Sequence, residues 1–165
     1  MDKIDKLDRQ ILEIISHNAR IPFRDVAERC GVSRAAIHQR VQRMIENQVI
    51  VGSGYNVNPK VLGYASSAYI GVKLEKGSMY RNVIPDFAKI PEVTECHFTT
   101  GPYTLLVKLY ARDNEHLMDL LNNYIQEIPG VVATETMISL SQGVKREVPI
   151  LKPTEKETII KEDEE

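Results

Sequence analysis

Between Glu28 and Glu46 the chain carries four arginines, Arg29, Arg34, Arg40 and Arg43, and no carboxylate. Among them stand Ser33, Ala35, His38, Gln39 and Gln42. These residue types at this spacing suit the reading of base-pair edges. Arginine offers paired donors to guanine and glutamine a donor and acceptor to adenine. Small residues let a helix approach the floor of the major groove, and the lack of acid leaves the phosphates unopposed. Arg34, Ala35, His38 and Gln39 are the candidates for base edges. Ser33, Arg40 and Arg43 suit phosphates or the seating of the helix. The lesser alternative for Arg40 is a structural ion pair. An ordinary helix-turn-helix corner with a solvated basic face is the competing structural reading.

Those side chains reach a duplex only if the backbone presents them. Residues 25–44 read as a helix, a tight turn at Gly31 and a second helix capped by Ser33. In the second helix Ile37, Val41, Met44 and Ile45 recur at i, i+4, i+7 and i+8, the spacing of a buried stripe. A preceding helix is expected from about Asp5 to His17, with Asp5 as its cap and Asp8 adding negative charge to its first turn. Its apolar face comprises Leu7, Ile11, Leu12, Ile14 and Ile15. Pro22 suits the start of the middle helix, which is expected to run to about Arg29. Residues 49–57 read as a short hairpin bent at glycine. Three helices and a hairpin make a winged helix-turn-helix over residues 1–60, with 58–60 as hinge.

From Leu62 the pattern changes. Tyr64–Leu74 alternates, with Ala68, Ile70, Val72 and Leu74 on one face. Tyr80, Val83, Ile84 and Phe87 form a helical stripe, and Val93–Thr100 and Tyr103–Tyr110 read as a hairpin across Gly101-Pro102. Leu117, Leu120, Leu121, Tyr124, Ile125 and Ile128 return to helical spacing, and Val131–Leu140 closes with a strand. Ile90-Pro91-Glu92-Val93 and Ile128-Pro129-Gly130-Val131 repeat at the two helix-to-strand joints. Strand–helix–strand twice over implies a ferredoxin-like βαββαβ unit at 61–151, so the fold class is α+β. Its helix-free sheet face, holding Tyr69 and either Phe98 or His97, calls for a second sheet and hence a dimer. Residues 152–165 are charged and poor in core residues, the composition of a mobile tail.

Charge is partitioned. Residues 1–60 hold ten Lys/Arg against seven Asp/Glu, residues 61–151 eight against ten, and the last fourteen three against six. The basic surplus therefore falls in the part expected to meet nucleic acid. No apolar run approaches the ~20 residues of a membrane span. Cys30 and Cys96 form no metal or disulfide pattern, and the four histidines lack metal-ligand spacing, so no cofactor is expected and a reducing cytoplasm is the default.

Taken in order, these pieces resemble the Lrp/AsnC family of transcription regulators. The resemblance spans about residues 4–150. It is carried by Leu7-Asp8-Arg9-Gln10-Ile11-Leu12, Asn18-Ala19-Arg20, Val26-Ala27, Gly31-Val32-Ser33, Ile37, Arg40-Val41 and Val49-Ile50. In the second half it is carried by Leu62-Gly63-Tyr64, Thr99-Thr100-Gly101-Pro102-Tyr103, Ile128-Pro129-Gly130-Val131 and Thr134-Glu135-Thr136. The Thr-Thr-Gly-x-Tyr and Thr-Glu-Thr pieces lean toward the asparagine-responsive branch. The resemblance implies a double-stranded DNA partner and a small amino-acid effector, with asparagine as first candidate. It also implies homodimers that assemble into octamers, with the effector held between dimers. Two positions depart from the family pattern: Thr104 stands where many members carry Asp, and Gln48 where many carry Gly.

An amino-acid effector needs donors for its carboxylate, acceptors for its ammonium and an amide partner. The candidates are Phe98, Thr99, Thr100, Gly101, Tyr103 and Thr104 around the turn, Gln126 for a carboxamide, and Glu135 with Thr136 for an ammonium. A plain hairpin with β-forming threonines and a solvated glutamate is the structural alternative. No nucleophile motif or phosphate-cradling loop is present. The rival class is a tetrapyrrole-modifying enzyme of the same architecture, using His97 and His116. A sensor without DNA contact is the third. The intact basic helix argues against the enzyme, and absence of any salt-dependent DNA binding would favour the sensor.

Overall fold

The computed structural model describes residues 4–150, and the charged segment at 152–165 lies outside them. The chain divides into two compact units. One runs to Asn56 and takes up the chain again from Arg146, and the other is Val57–Lys145.

In the first unit α1 spans Lys6–His17, α2 Phe23–Cys30 and α3 Arg34–Glu46. The Asp5 carboxylate accepts from the Asp8 amide at 2.7 Å, and the Asp8 carboxylate accepts from the Asp5 amide at 3.2 Å. This reciprocal cap satisfies donors that the first helical turn leaves open. Gly31 ends α2 in the left-handed region at φ 64°, where a β-carbon would be strained, and the Ser33 hydroxyl caps α3 by accepting from the Ala36 amide at 3.2 Å. Ile11, Val26, Ala27, Ile37, Val41 and Met44 form the core.

Two expectations fail in this unit. Ile45, placed on the buried stripe, is 46% exposed. Eight residues at 100° carry it about 80° round the axis from Ile37, past the edge that Val41 and Met44 define. The winged hairpin at 49–57 is also absent: those residues form no strand. The Val49 and Ile50 amides turn back to the Met44 carbonyl, at 2.8 and 3.1 Å. The arms left on either side of Gly52-Ser53-Gly54 are too short to hold a two-stranded ladder unaided. Tyr55 instead lies beneath Arg20, whose guanidinium carbon stands 4.3 Å from the ring centre. From the returning segment, the Ile150 carbonyl accepts from the Arg9 guanidinium at 3.0 Å.

The second unit is the expected ferredoxin-like arrangement. β1 (Ser66–Leu74), α4 (Tyr80–Phe87), β2 (Val93–Phe98), β3 (Leu105–Ala111), α5 (Asn114–Asp119) and β4 (Val131–Ser139) follow in order. All strand pairs are antiparallel, in the spatial order β2-β3-β1-β4. Ala68, Ile70, Val72, Leu105, Val107 and Leu109 pack on Val83, Phe87, Leu117, Leu120, Ile125 and Ile128 to form the core on one face of the sheet. The repeated tetrapeptides make the same turn: Val93 donates to the Ile90 carbonyl and Val131 to the Ile128 carbonyl, each at 3.0 Å.

The second helix departs from the expected spacing. After α5 it widens into a π-helical turn over Leu120–Ile125, and Tyr124 leaves the apolar stripe to stand 51% exposed. An i→i+5 turn advances each residue by less than the 100° that the sequence pattern assumes. Among the described residues no helix is long and apolar enough to cross a membrane.

Candidate nucleic-acid interface and effector site

The outer surface of α3 presents Arg34, Ala35, His38 and Gln39 as exposed residues. Among the described residues the Arg34 and Gln39 side chains have no bonding partner, which leaves their donors and acceptors available. His38 stands edge-on to the Phe23 ring, with centroids 6.1 Å apart and planes at 76°. This contact ties the imidazole to the start of α2. The Ser33 hydroxyl oxygen is engaged by the helix cap.

Arg40 and Arg43 are placed differently. The Arg40 Nη1 donates to Asp5 at 2.6 Å and to Asp8 at 2.8 Å, and the Arg43 Nη2 donates to Asp8 at 2.7 Å. Asp8 is only 1% exposed, so its carboxylate is a buried charge met by two guanidiniums and one amide. The structural ion pair left open for Arg40 is present, and Arg43 shares it. Sequence reasoning treated Asp8 only as a first-turn charge. The overlooked signal was its position on the apolar face of α1, between Ile15 and Leu12 on the helix surface.

In the second unit the Thr99–Thr104 turn closes on itself. Thr99 donates its amide to the Thr104 carbonyl at 3.1 Å and its hydroxyl to the Tyr103 carbonyl at 3.0 Å. Thr104 donates its amide to the Val72 carbonyl at 2.9 Å, and its hydroxyl oxygen accepts from the Leu74 amide at 3.3 Å. Both hydroxyls therefore brace the turn. Thr100 and Gly101, at φ 111°, remain exposed at its tip.

Tyr103 folds back over Gly71 on the helix-free side of the sheet. Gly71 pairs with Glu135 in β4, and the Glu135 carboxylate lies beside the Tyr103 hydroxyl. The hydrogen-bonding pull of that carboxylate, with a smaller contribution from burial, pushes the phenol above its ordinary range. The other candidates lie toward the helices. Gln126 donates to the Thr134 hydroxyl at 3.0 Å, and Thr134 and Thr136 pair with Val72 and Ile70, whose side chains face the core. Phe98 stacks on Tyr80 with centroids 4.2 Å apart and planes at 14°. Of the alternatives Phe98 or His97 for the open face, the alternation chooses His97: Phe98 pairs with the core residue Leu105. One chain thus brings Tyr103 and Glu135 together and leaves Phe98, Gln126 and Thr136 on the opposite side.

The remaining titratable groups read as structural. Lys108 donates to Glu95 at 2.8 Å, and this hydrogen bond lowers the pKa of Glu95 and raises that of Lys108. His97 stands 3.4 Å from Glu95 on the open face. His116 belongs to the helix layer, where its Nδ1 accepts from the Arg112 amide at 3.2 Å and its Nε2 stands 3.6 Å from Glu92. The two histidines thus lie on opposite sides of the sheet. Among the described residues no group of three His, Cys, Asp or Glu could hold a metal ion.

A helix-turn-helix with free polar side chains on its last helix, joined to a ferredoxin-like unit, defines a DNA-binding regulator with an effector domain. The family profile of the AsnC-type helix-turn-helix domain matches residues 4–45, and that of the Lrp/AsnC ligand binding domain matches residues 67–149. The chain belongs to the Lrp/AsnC family of transcriptional regulators, within its AsnC branch. It is 37% identical to the regulatory protein AsnC of Escherichia coli K12 over 145 residues, 88% of this chain and 95% of that one. It is 35% identical to the HTH-type transcriptional regulator FL11 of Pyrococcus horikoshii, over 83% of this chain and 89% of that one. The solved structure of E. coli AsnC superimposes with a TM-score of 0.85 at 36% identity, covering 90% of this chain and 99% of that one. The feast or famine regulatory protein of Mycobacterium tuberculosis, solved with L-methionine, shares the fold at a TM-score of 0.82 and 24% identity, covering 89% and 99%.

Proposed function

We propose that this regulator reads its operator with Arg34, Ala35, His38 and Gln39. The observation that carries this reading is the exposure of Arg34 and Gln39 on α3 without a bonding partner among the described residues. Ser33, at the head of the helix, lies where a phosphate would approach. Selection from randomised duplexes tests the assignment. Gln39→Ala is expected to change the preferred bases, and wild-type protein without any salt-dependent DNA binding would overturn it.

We further propose that a free amino acid, asparagine first, modulates assembly or DNA affinity, and that the protein regulates rather than catalyses. The mycobacterial complex supports the chemistry, since the same fold there holds L-methionine. The amides of the exposed residues Thr100 and Gly101 suit a carboxylate, Glu135 an ammonium and Gln126 a carboxamide. Because these candidates are split between two sides of one sheet, a second copy is needed to complete the site. That requirement favours assemblies of several copies, up to the octamer, while the uncovered sheet face favours dimers joined through it. Calorimetric titration with asparagine and a panel of other amino acids tests this reading, and the absence of heat with every one would remove it.

A further inference from the structure

We infer that Asp8 is a positioning residue for the DNA-reading helix. This inference rests on the reading of α3 proposed above. Asp8 belongs to α1 and lies outside the surface that would face a duplex. Its carboxylate is nevertheless buried, and it gathers Arg40 and Arg43, one turn apart on α3. It is itself fixed by the reciprocal cap at the start of α1. Two charge-assisted bonds from α3 to this one buried carboxylate, with a further one from Arg40 to Asp5, define the rotation of α3 about its own axis. The apolar stripe of Ile37, Val41 and Met44 alone would tolerate a slip that these bonds do not. The rotation of α3 in turn decides whether Arg34 and Gln39 point at base edges.

The same geometry has a consequence for charge. Of the four arginines in the acid-free stretch, Arg40 and Arg43 are neutralised inside the unit by Asp5 and Asp8. They are therefore withdrawn from the phosphates, and the salt dependence of binding should be shallower than the arginine count suggests.

The full chain as wild type, Asp8→Asn, Arg43→Gln, Arg34→Ala and Gln39→Ala would be compared at a temperature where circular dichroism shows each folded. The readouts are the ratio of preferred-duplex to random-duplex affinity and the slope of log affinity against log salt. A residue that merely stabilises the fold moves neither in folded protein. For Asp8→Asn the ratio is expected to fall about tenfold. Its salt slope is expected to steepen by about one as a released guanidinium finds a phosphate. For Arg43→Gln the ratio is expected to fall with the slope unchanged.

Folded Asp8→Asn with an unaltered ratio would overturn the inference. So would Arg43→Gln with an unaltered ratio and a slope lower by about one, the signature of a phosphate contact. Should Asp8→Asn fail to fold, Arg43→Gln decides. If Arg34→Ala and Gln39→Ala both leave base preference intact, the DNA-reading assignment of α3 has failed and takes this inference with it. If either changes preference while the Asp8 and Arg43 variants do not, only the inference falls.

Discussion

The Tyr103 ring rests on Gly71: its Cγ and Cδ1 stand 2.7 Å, and its Cδ2 2.8 Å, from the place where a β-carbon at residue 71 would be. No side chain fits there without moving the ring, and the ring carries the hydroxyl that lies beside Glu135. Gly71→Ala is expected to lower stability by about 1–3 kcal/mol, the usual cost of overpacking a fitted site. Gly71→Ala is expected to cost far less in a Tyr103→Ala background, because the obstruction is gone. Urea unfolding of the wild type, both single variants and the double variant checks this. An equal cost in both backgrounds would show that the ring is not what the β-carbon meets.

Gln48 has a φ of 55° and is the one non-glycine among the described residues with a positive φ. Its side chain is exposed, so nothing in the core requires glutamine there. Gln48→Gly is expected to stabilise the protein by about 1 kcal/mol, the strain of a β-carbon in the left-handed region. The check is a higher urea midpoint with an unchanged slope. A lower midpoint would mean that the flexibility of glycine in the unfolded chain outweighs the strain relieved.

The parts of the fold legible in the sequence were those governed by local pattern. Asp5, Ser33 and Gly31 mark helix ends because capping uses neighbours on the chain. Ala68, Ile70 and Val72 mark a strand because alternation needs no partner to be seen. Tyr124 and Ile45 were misplaced where a fixed 100° step did not describe the surface, one at a π turn and one at the rim of a stripe. The hairpin at 49–57 was misread because its composition suits strands while its arms are too short to pair. At the candidate sites Arg34 and Gln39 were legible as surface groups. The partnership of Asp8 with Arg40 and Arg43 joins residues 32 and 35 positions apart, which no local period reports. Phe98 shows the remaining limit: alternation said that it and His97 oppose each other, and only the register with Leu105 decided which faces the helices.

Asp5 should make stability depend on acid. The hydrogen bond from the Arg40 guanidinium, then that from the Asp8 amide, holds its carboxyl below the ordinary aspartate range. A depressed folded-state pKa means that the unfolded chain binds the proton more readily. The stabilisation is therefore whole above about pH 4, the usual aspartate value, and is lost as pH falls through the lower folded value. Urea midpoints measured downward from pH 6 should show wild type above Asp5→Asn at the start and the two curves converging in acid. Parallel curves would mean that the charge on Asp5 adds nothing to the fold.

The two faces of the sheet should respond differently to substitution if the open one is the dimer surface. Leu106 pairs with Gly71 on one side and His97 on the other, and so lies in the middle of the open face, with Tyr69, Tyr110 and Met137 on the same side of their strands. Phe98 lies on the far side, stacked on Tyr80. In a two-fold pairing each substitution occurs twice in one interface, so Leu106→Asp would bury two like charges. It is expected to give a folded monomer in light scattering. Phe98→Ala should lose the stack, about 0.5–1.5 kcal/mol beyond the area it buries, and keep the wild-type mass. A Leu106→Asp protein that retains the wild-type mass would place the interface elsewhere. The open face would then need another cover, since its half-buried leucine and tyrosines lie on the side opposite the helices.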